Sequence, residues 1–236
     1  MRPILKALIF DYDGLIVDSE YPEYLSWREV YEAAGVELTE QVWTSAVGSV
    51  NAFLPKAFLE NATGRVFDWE SIDRERRRKL LVHQHAQPVL PGVADLMLRG
   101  REAGFRIGVA SNSTRDWVEH GLERLGLLPL IEVIRTVETV PRPKPFPDVY
   151  LAVLGNLQAE AGQSFAFEDS EPGVRAAKAA GLRVVAVPSA LTRYQDLSLA
   201  DCTVASLEGF DWQMNGIIEV VPSGRMDNPR GGTAGA

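Results

Sequence analysis

The chain's first strong apolar run, Ala7-Leu8-Ile9-Phe10, stops abruptly at Asp11. Four apolar residues in a row, with no polar alternation, suit a strand buried on both faces of a parallel sheet. Comparable runs recur at 106–110, 131–134, 164–167 and 184–187. Between them, helical spacing of apolar positions predicts helices over 93–103, 115–125, 146–154 and 174–180, with Gly104, Gly126, Gly155 and Gly181 placed as C-terminal stops. Strands alternating with helices predict a doubly wound, Rossmann-like α/β parallel-sheet core.

The first strand stands apart from the others. From about residue 20 to residue 87 the pattern is helical throughout, with helices expected over 21–34, 40–47, 52–61 and 69–85. An inserted all-helical cap accounts for this. The expected division is a core of 1–18 and 88–221 and a cap of 19–87, so the chain crosses one hinge twice. Residues 222–236 carry Gly, Pro, Asn and Thr with almost no apolar content and read as a disordered tail.

Composition narrows the partners. The 236-residue chain, 46% hydrophobic and 24% charged, has the make-up of an ordinary globular protein. A formal charge of -8 disfavours nonspecific binding to nucleic acid or an anionic membrane, so an anionic substrate must meet cations locally. The lone Cys202 excludes an intramolecular disulfide framework and reads as a structural thiol in a reducing compartment. The N-terminal apolar run is too short and interrupted for a signal peptide, and no segment could span a bilayer. A cytoplasmic location is expected.

In an open α/β sheet, ligands bind in the crevice beyond the carboxyl ends of the strands. Asp11 and Asp13 stand there, within Asp11-Tyr12-Asp13-Gly14. Taken alone, an Asp-Gly between apolar runs suits a hairpin turn. The other predicted strand ends shift that balance. Ser111-Asn112-Ser113 follows the second run, Lys144 follows the third after a short loop, and Glu168-Asp169 follow the fourth.

These groups make chemical sense together. A carboxylate nucleophile and a phosphate dianion repel each other, so a site joining them needs a metal ion and a fixed cation. Asp11 and Asp169 can supply metal carboxylates, and Mg2+ fits such an oxygen-rich cluster better than it would a His or Cys set. Lys144 offers a point charge to phosphate oxygens. Ser111 and Asn112, with the backbone amides of a helix start, offer donors to the same group. Asp13 can protonate the leaving oxygen and later activate water. Singly, Lys144 reads more readily as a solvated lysine and Glu168-Asp169 as the acidic start of a helix. Their coincidence in one order is what favours a site.

The segments Asp11-Tyr12-Asp13-Gly14, Ser111, Lys144-Pro145-Phe146-Pro147-Asp148 and Phe167-Glu168-Asp169-Ser170 together resemble the four motifs of the haloacid dehalogenase superfamily. The resemblance covers nearly the whole chain and is closest to the β-phosphoglucomutase-like subfamily, whose helical cap is inserted after the first motif. It implies Asp11 as nucleophile and magnesium ligand, and Asp13 as acid/base that also coordinates through its carbonyl. It implies Ser111 and Lys144 as phosphate binders and Glu168 and Asp169 as the acidic pair holding the metal, with a cis Lys144–Pro145 bond in the loop.

Asp13 favours phosphate esters over carbon–halogen chemistry, because members acting on carbon–halogen bonds lack an aspartate two residues after the nucleophile. Glu23 and Asn51 occupy the places where β-phosphoglucomutase carries a histidine in the linker to the cap and a cap arginine that grips the second phosphate, which weakens a hexose phosphate mutase reading. The expected function is a Mg2+-dependent phosphatase of small phosphorylated metabolites, sugar phosphates included. The alternatives are that mutase and a receiver-like module that only holds phosphate on Asp11. Cap contacts to substrate are expected from Glu20, Glu23, Gly48, Ser49 and Asn51.

Other signals carry less. The run Asp73-Arg74-Glu75-Arg76-Arg77-Arg78-Lys79 reads as a solvated helix face. His83 and His85, two apart on a helix, do not face one another. Trp27, Trp43 and Trp69 read as filling the cap core.

Overall fold

The computed structural model describes residues 6–44 and 54–211. Its strands are β1 (Ala7–Phe10), β2 (Arg106–Ala110), β3 (Val133–Arg135), β4 (Phe165–Glu168), β5 (Arg183–Ala186) and β6 (Cys202–Thr203). They form one parallel sheet in the order β3-β2-β1-β4-β5-β6. The chain builds outward from β1 to β3, then returns to the other side of β1 to place β4. That reversal makes the crevice beyond the ends of β1 and β4 the natural ligand site of the fold.

The helices are α1 (Glu20–Ala33), α2 (Glu40–Thr44), α3 (Pro55–Thr63), α4 (Trp69–Ala86), α5 (Val93–Glu102), α6 (Arg115–Arg124), α7 (Asp148–Leu157) and α8 (Glu171–Ala179). Strand β1 is buried on both faces. Leu8 and Phe10 enter the apolar cluster that also holds Val93, Leu96 and Met97 of α5 and Val118 and Leu122 of α6. Ala7 and Ile9 enter the opposite cluster, with Val149 and Val153 of α7 and Val174 and Ala177 of α8. Burying each large aliphatic or aromatic side chain in this way contributes about 1.5–3 kcal/mol, which is why the run reads as central.

Helices α1–α4 lie between β1 and β2 in sequence and carry their own apolar cluster of Tyr24, Trp27, Tyr31, Leu38, Trp43 and Leu59, with Trp69 packed against it. The two passages into and out of this insert run side by side. Val17 and Val89 form an antiparallel bridge, and Leu90 N donates to Ile16 O at 2.9 Å.

Several boundaries differ from the sequence reading. Gly155 lies inside α7 and does not end it: the helix runs on to bury Leu157, and Gln158 takes the left-handed cap at φ 51°. Helix α8 starts earlier than expected, with Ser170 as its cap and Pro172 in its first turn. Strand β6 is too short to carry a pattern. Cys202 within it is half-buried, its thiol pushed up by burial and by Asp201, as suits a structural thiol. Arg76 is no part of a solvated face. It stacks over the Trp27 ring at 4.3 Å and its Nη1 donates to Glu23 Oε1 at 2.8 Å. Of the expected helices over 40–47 and 52–61, only α2 and α3 are described, and the tail at 222–236 lies outside the described residues. Among the described residues, no helix is long and apolar enough to cross a membrane.

Candidate active site

Register brings the motifs level. Phe10 pairs with Val109 on one side and Phe167 on the other, so Asp11, Ser111 and the pair Glu168-Asp169 leave their strands along one edge of the sheet. Asp11 N still donates to Phe167 O at 3.0 Å, which holds the start of the loop against β4. The loop then turns at Gly14, with φ +80°.

Lys144 reaches this edge from the loop after β3. Its Nζ donates to Asp11 Oδ1 and to Glu168 Oε1, each at 2.6 Å, and the side chain is only 4% exposed. Burial opposes the lysine's charge, but Asp11 and Glu168 more than offset it and hold the ammonium protonated. Tyr150 of α7 is fully buried and its hydroxyl also donates to Glu168 Oε1. Burial, with the nearby carboxylates, raises the Tyr150 hydroxyl well above its ordinary range and keeps it a donor.

Oxygens of Asp11, Glu168 and Asp169 lie within 4.8 Å of one another, and all three residues are buried. Three carboxylates face one buried ammonium, so the cluster carries surplus negative charge. Burial and then Glu168 push the Asp11 carboxyl up to about 7, with Lys144 pulling the other way. Asp169 is raised well above its usual range by burial, then by Asp11 and Glu168. A compact set of hard oxygen ligands with unbalanced charge fits a divalent cation such as Mg2+. Asp11, Glu168 and Asp169 are the side chains that would hold it.

Asp13 points its carboxylate at three donors. Ser19 Oγ donates to Oδ1, Trp117 Nε1 donates to Oδ1 at 2.9 Å, and Ser113 Oγ donates to Oδ2 at 2.5 Å. Ser111 is buried and accepts from Ser113 N at 3.0 Å.

Asn112, expected beside the phosphate, also holds the loop that carries Lys144. Its Oδ1 accepts from Lys144 N at 2.9 Å and its Nδ2 donates to Lys144 O at 3.3 Å, so the amide clamps the Lys144 backbone. The next bond, Lys144–Pro145, is cis.

The cap candidates separate. Glu20, at the first position of α1, stands close enough to the cluster that burial, Asp13, Glu23 and Asp11 push its carboxyl up to about 8. Glu23 is turned toward the insert, its Oε1 accepting from Arg76 Nη1 at 2.8 Å and from Trp27 Nε1 at 3.2 Å. Gly48, Ser49 and Asn51 lie outside the described residues.

Sequence reasoning missed Ser19, Trp117, Tyr150 and Thr192, whose hydroxyl donates to Asp169 Oδ2 at 3.3 Å. Tyr150 sits two residues beyond the motif that ends at Asp148 and could have been found by that spacing. Trp117 and Thr192 carry no local signal.

A family profile described as haloacid dehalogenase-like hydrolase matches residues 8–187. This chain belongs to that family. It is 37% identical over 189 residues to YhcW of Bacillus subtilis (strain 168), whose name carries a provisional phosphatase assignment, covering 80% of this chain and 86% of that protein. It is 29% identical to hexitol phosphatase B of Escherichia coli (strain K12), covering 87% and 94%. Among solved structures, CbbY from Rhodobacter sphaeroides in complex with phosphate superposes with a TM-score of 0.67 at 26% identity, covering 86% and 95%. The chain is an enzyme of the phosphatase type, a hydrolase of phosphoric monoester bonds.

Proposed function

We propose that this enzyme is a Mg2+-dependent phosphatase of small phosphomonoesters, sugar phosphates among them, working through an aspartyl-phosphate on Asp11. One observation carries the reading: a buried lysine bridges Asp11 and Glu168 at 2.6 Å while Asp169 completes a cluster with surplus negative charge. A bound divalent cation would neutralise the unmatched carboxylates.

In this reading Asp11 attacks the phosphorus atom, forming the Asp11 O–P bond as the ester P–O bond breaks. Asp13 delivers its proton to the leaving alkoxide and then takes one from the water that cleaves the aspartyl-phosphate, which returns Asp11 and releases inorganic phosphate. Lys144 and the donors around Ser111 hold the phosphoryl oxygens, and Asn112 fixes Lys144 by its backbone. A magnesium ion held by Asp11, Glu168 and Asp169 would supply positive charge against the oxygens that gain charge in transfer. Helices α1–α4 act as the cap, on the division 1–18 and 88–221 for the core and 19–87 for the cap. Their closure excludes water, and Glu20 faces the substrate.

Hexitol phosphatase B and a structure of CbbY in complex with xylulose-(1,5)bisphosphate support sugar phosphates as the substrate class. The test is hydrolysis of a panel of phosphorylated metabolites with Mg2+, by wild type and Asp11→Asn. The variant is expected to lose turnover entirely, and EDTA to abolish it in wild type. Undiminished activity in Asp11→Asn would sink the mechanism. Isomerised product without net phosphate release would point to a mutase, and a stable phosphoprotein to a receiver-like module.

A further inference from the structure

The loop leaving β5 touches both halves of the molecule. Thr192 begins its 3₁₀ turn, Thr192–Tyr194, and is fully buried. Ser189 N donates to Thr192 Oγ1 at 2.8 Å and Ser189 Oγ lies 3.0 Å from it. Ser189 Oγ already accepts from Leu191 N at 3.3 Å and Thr192 N at 3.2 Å, which leaves it to donate to Thr192 Oγ1, and the threonine hydroxyl then directs its proton to Asp169 Oδ2 at 3.3 Å. On its other side that oxygen is hemmed by Gly14, where a β-carbon would fall 2.2 Å away.

The residue before it faces the other way. Leu191 is 1% exposed and belongs to the apolar cluster of the helical insert, beside Tyr24, Trp43 and Leu59. Its carbonyl accepts from Thr44 Oγ1 of α2 at 2.8 Å. The residue after it, Arg193, donates to Glu40 Oε2 of α2 at 2.8 Å. Further on, Gln195 Oε1 accepts from Glu171 N at 2.8 Å, tying the loop back to the start of α8, two residues past Asp169.

We propose that Thr192 is a positioning residue for Asp169, itself held in place by the docking of Leu191 in the helical insert, so that metal binding and insert docking are linked. This rests on the reading of Asp169 as a metal ligand. An O–H···O contact of 3.3 Å is long, so Thr192 orients the carboxylate more than it adds binding energy of its own. Orientation is enough: losing an outer partner of a metal ligand weakens metal affinity about 10–100-fold. Coupling between two binding equilibria is reciprocal, so metal bound at Asp169 must strengthen the seating of Leu191 as much as that seating strengthens metal binding.

The test uses Mn2+ alone, followed by its electron paramagnetic resonance signal, on the full chain. Thr192→Val keeps the apolar volume and removes the hydroxyl, and it should weaken Mn2+ binding about 10-fold. Thr192→Ser should restore binding, which a role in packing alone would not predict. Leu191→Ala touches no member of the acidic cluster and should also weaken it. Thermal melts identify any variant that does not fold. Independently of variants, Mg2+ added to wild type should slow amide hydrogen exchange across α2. Wild-type Mn2+ affinity in Thr192→Val beside its loss in Asp169→Asn overturns the positioning role. Unchanged exchange in α2 overturns the linkage. Normal Mn2+ binding by Asp169→Asn overturns the metal reading, and the inference with it.

Discussion

Gly14 and Asp169 occupy adjoining space that only glycine permits: a β-carbon on Gly14 would lie 2.2 Å from Asp169 Oδ2, and the glycine sits at φ +80°. The first carboxylate segment therefore turns away through a left-handed residue and lets the fourth segment close against it. Gly14→Ala is expected to fail on both counts. The backbone strain alone costs about 1–2 kcal/mol, and the methyl group must displace Asp169. Half-maximal activation should require at least about 10-fold more Mg2+, read from a magnesium titration of phosphatase activity. A variant with wild-type magnesium dependence would show that Asp169 has no ligand role.

Asn112 secures Lys144 through both backbone groups of that residue. Asn112→Ala leaves the buried lysine's N–H and C=O without these partners, at about 1–3 kcal/mol. It should lower both the melting temperature and kcat. Inhibition by inorganic phosphate should weaken only together with that loss of stability, because the amide acts through the Lys144 backbone. Weaker phosphate inhibition with unchanged stability would restore Asn112 to the direct role that its sequence position suggests.

Arg76 is nearly enclosed between Trp27 and Glu23, its side chain 8% exposed and that of Glu23 28%. Arg76→Ala strands the Glu23 carboxylate and removes the guanidinium from the Trp27 face. Breaking a buried pair from one side is destabilising by roughly 3 kcal/mol, somewhat less here because Glu23 reaches solvent. Calorimetry should show the loss. Pairing the change with Glu23→Gln should recover part of it, and no recovery would mean that the stacking on Trp27 dominates.

Glu20 supplies a pH signature. Its carboxyl is pushed up to about 8 in the folded protein by burial, Asp13, Glu23 and Asp11, against about 4.3 in an unfolded chain. A raised carboxyl pKa means the folded state binds the proton more tightly, so stability falls as pH rises between those two values. Glu20→Gln removes this penalty. In EDTA, the variant's melting temperature should match wild type near pH 4, exceed it increasingly up to pH 8, and hold a constant lead above that. Each kcal/mol relieved raises the melting temperature by roughly 2–4 °C for a chain of this size. A lead that shrinks with rising pH would contradict the placement of Glu20 beside the cluster.

Strand positions were legible because continuous apolar runs are a local property, and β1 is read from four residues. The site was legible because its groups follow those runs in a fixed order, and the register then sets them level. What could not be read were choices of partner. Nothing near Asn112 says that its amide will be taken by a backbone 32 residues away, nor near Arg76 that it will turn inward to a glutamate 53 residues away. Gly155 misled for the same reason. Its helix-ending tendency is local, while the burial of Leu157 that overrides it comes from the opposing sheet.

The central position of β1 also governs how the chain is made. β1 is the first strand of the sheet to leave the ribosome, yet its two neighbours are β2 and β4, which begin at Arg106 and Phe165. Throughout synthesis of the insert, a fully apolar strand waits with both edges unpaired, and closing loops of that length before any reward makes such topologies slow to fold and prone to aggregate. Lys144 and Asp11, 133 residues apart, meet only after β2 and β3 have been translated. The pair therefore waits for the chain beyond β3, and Glu168, which the same lysine also holds, follows only 24 residues later on β4.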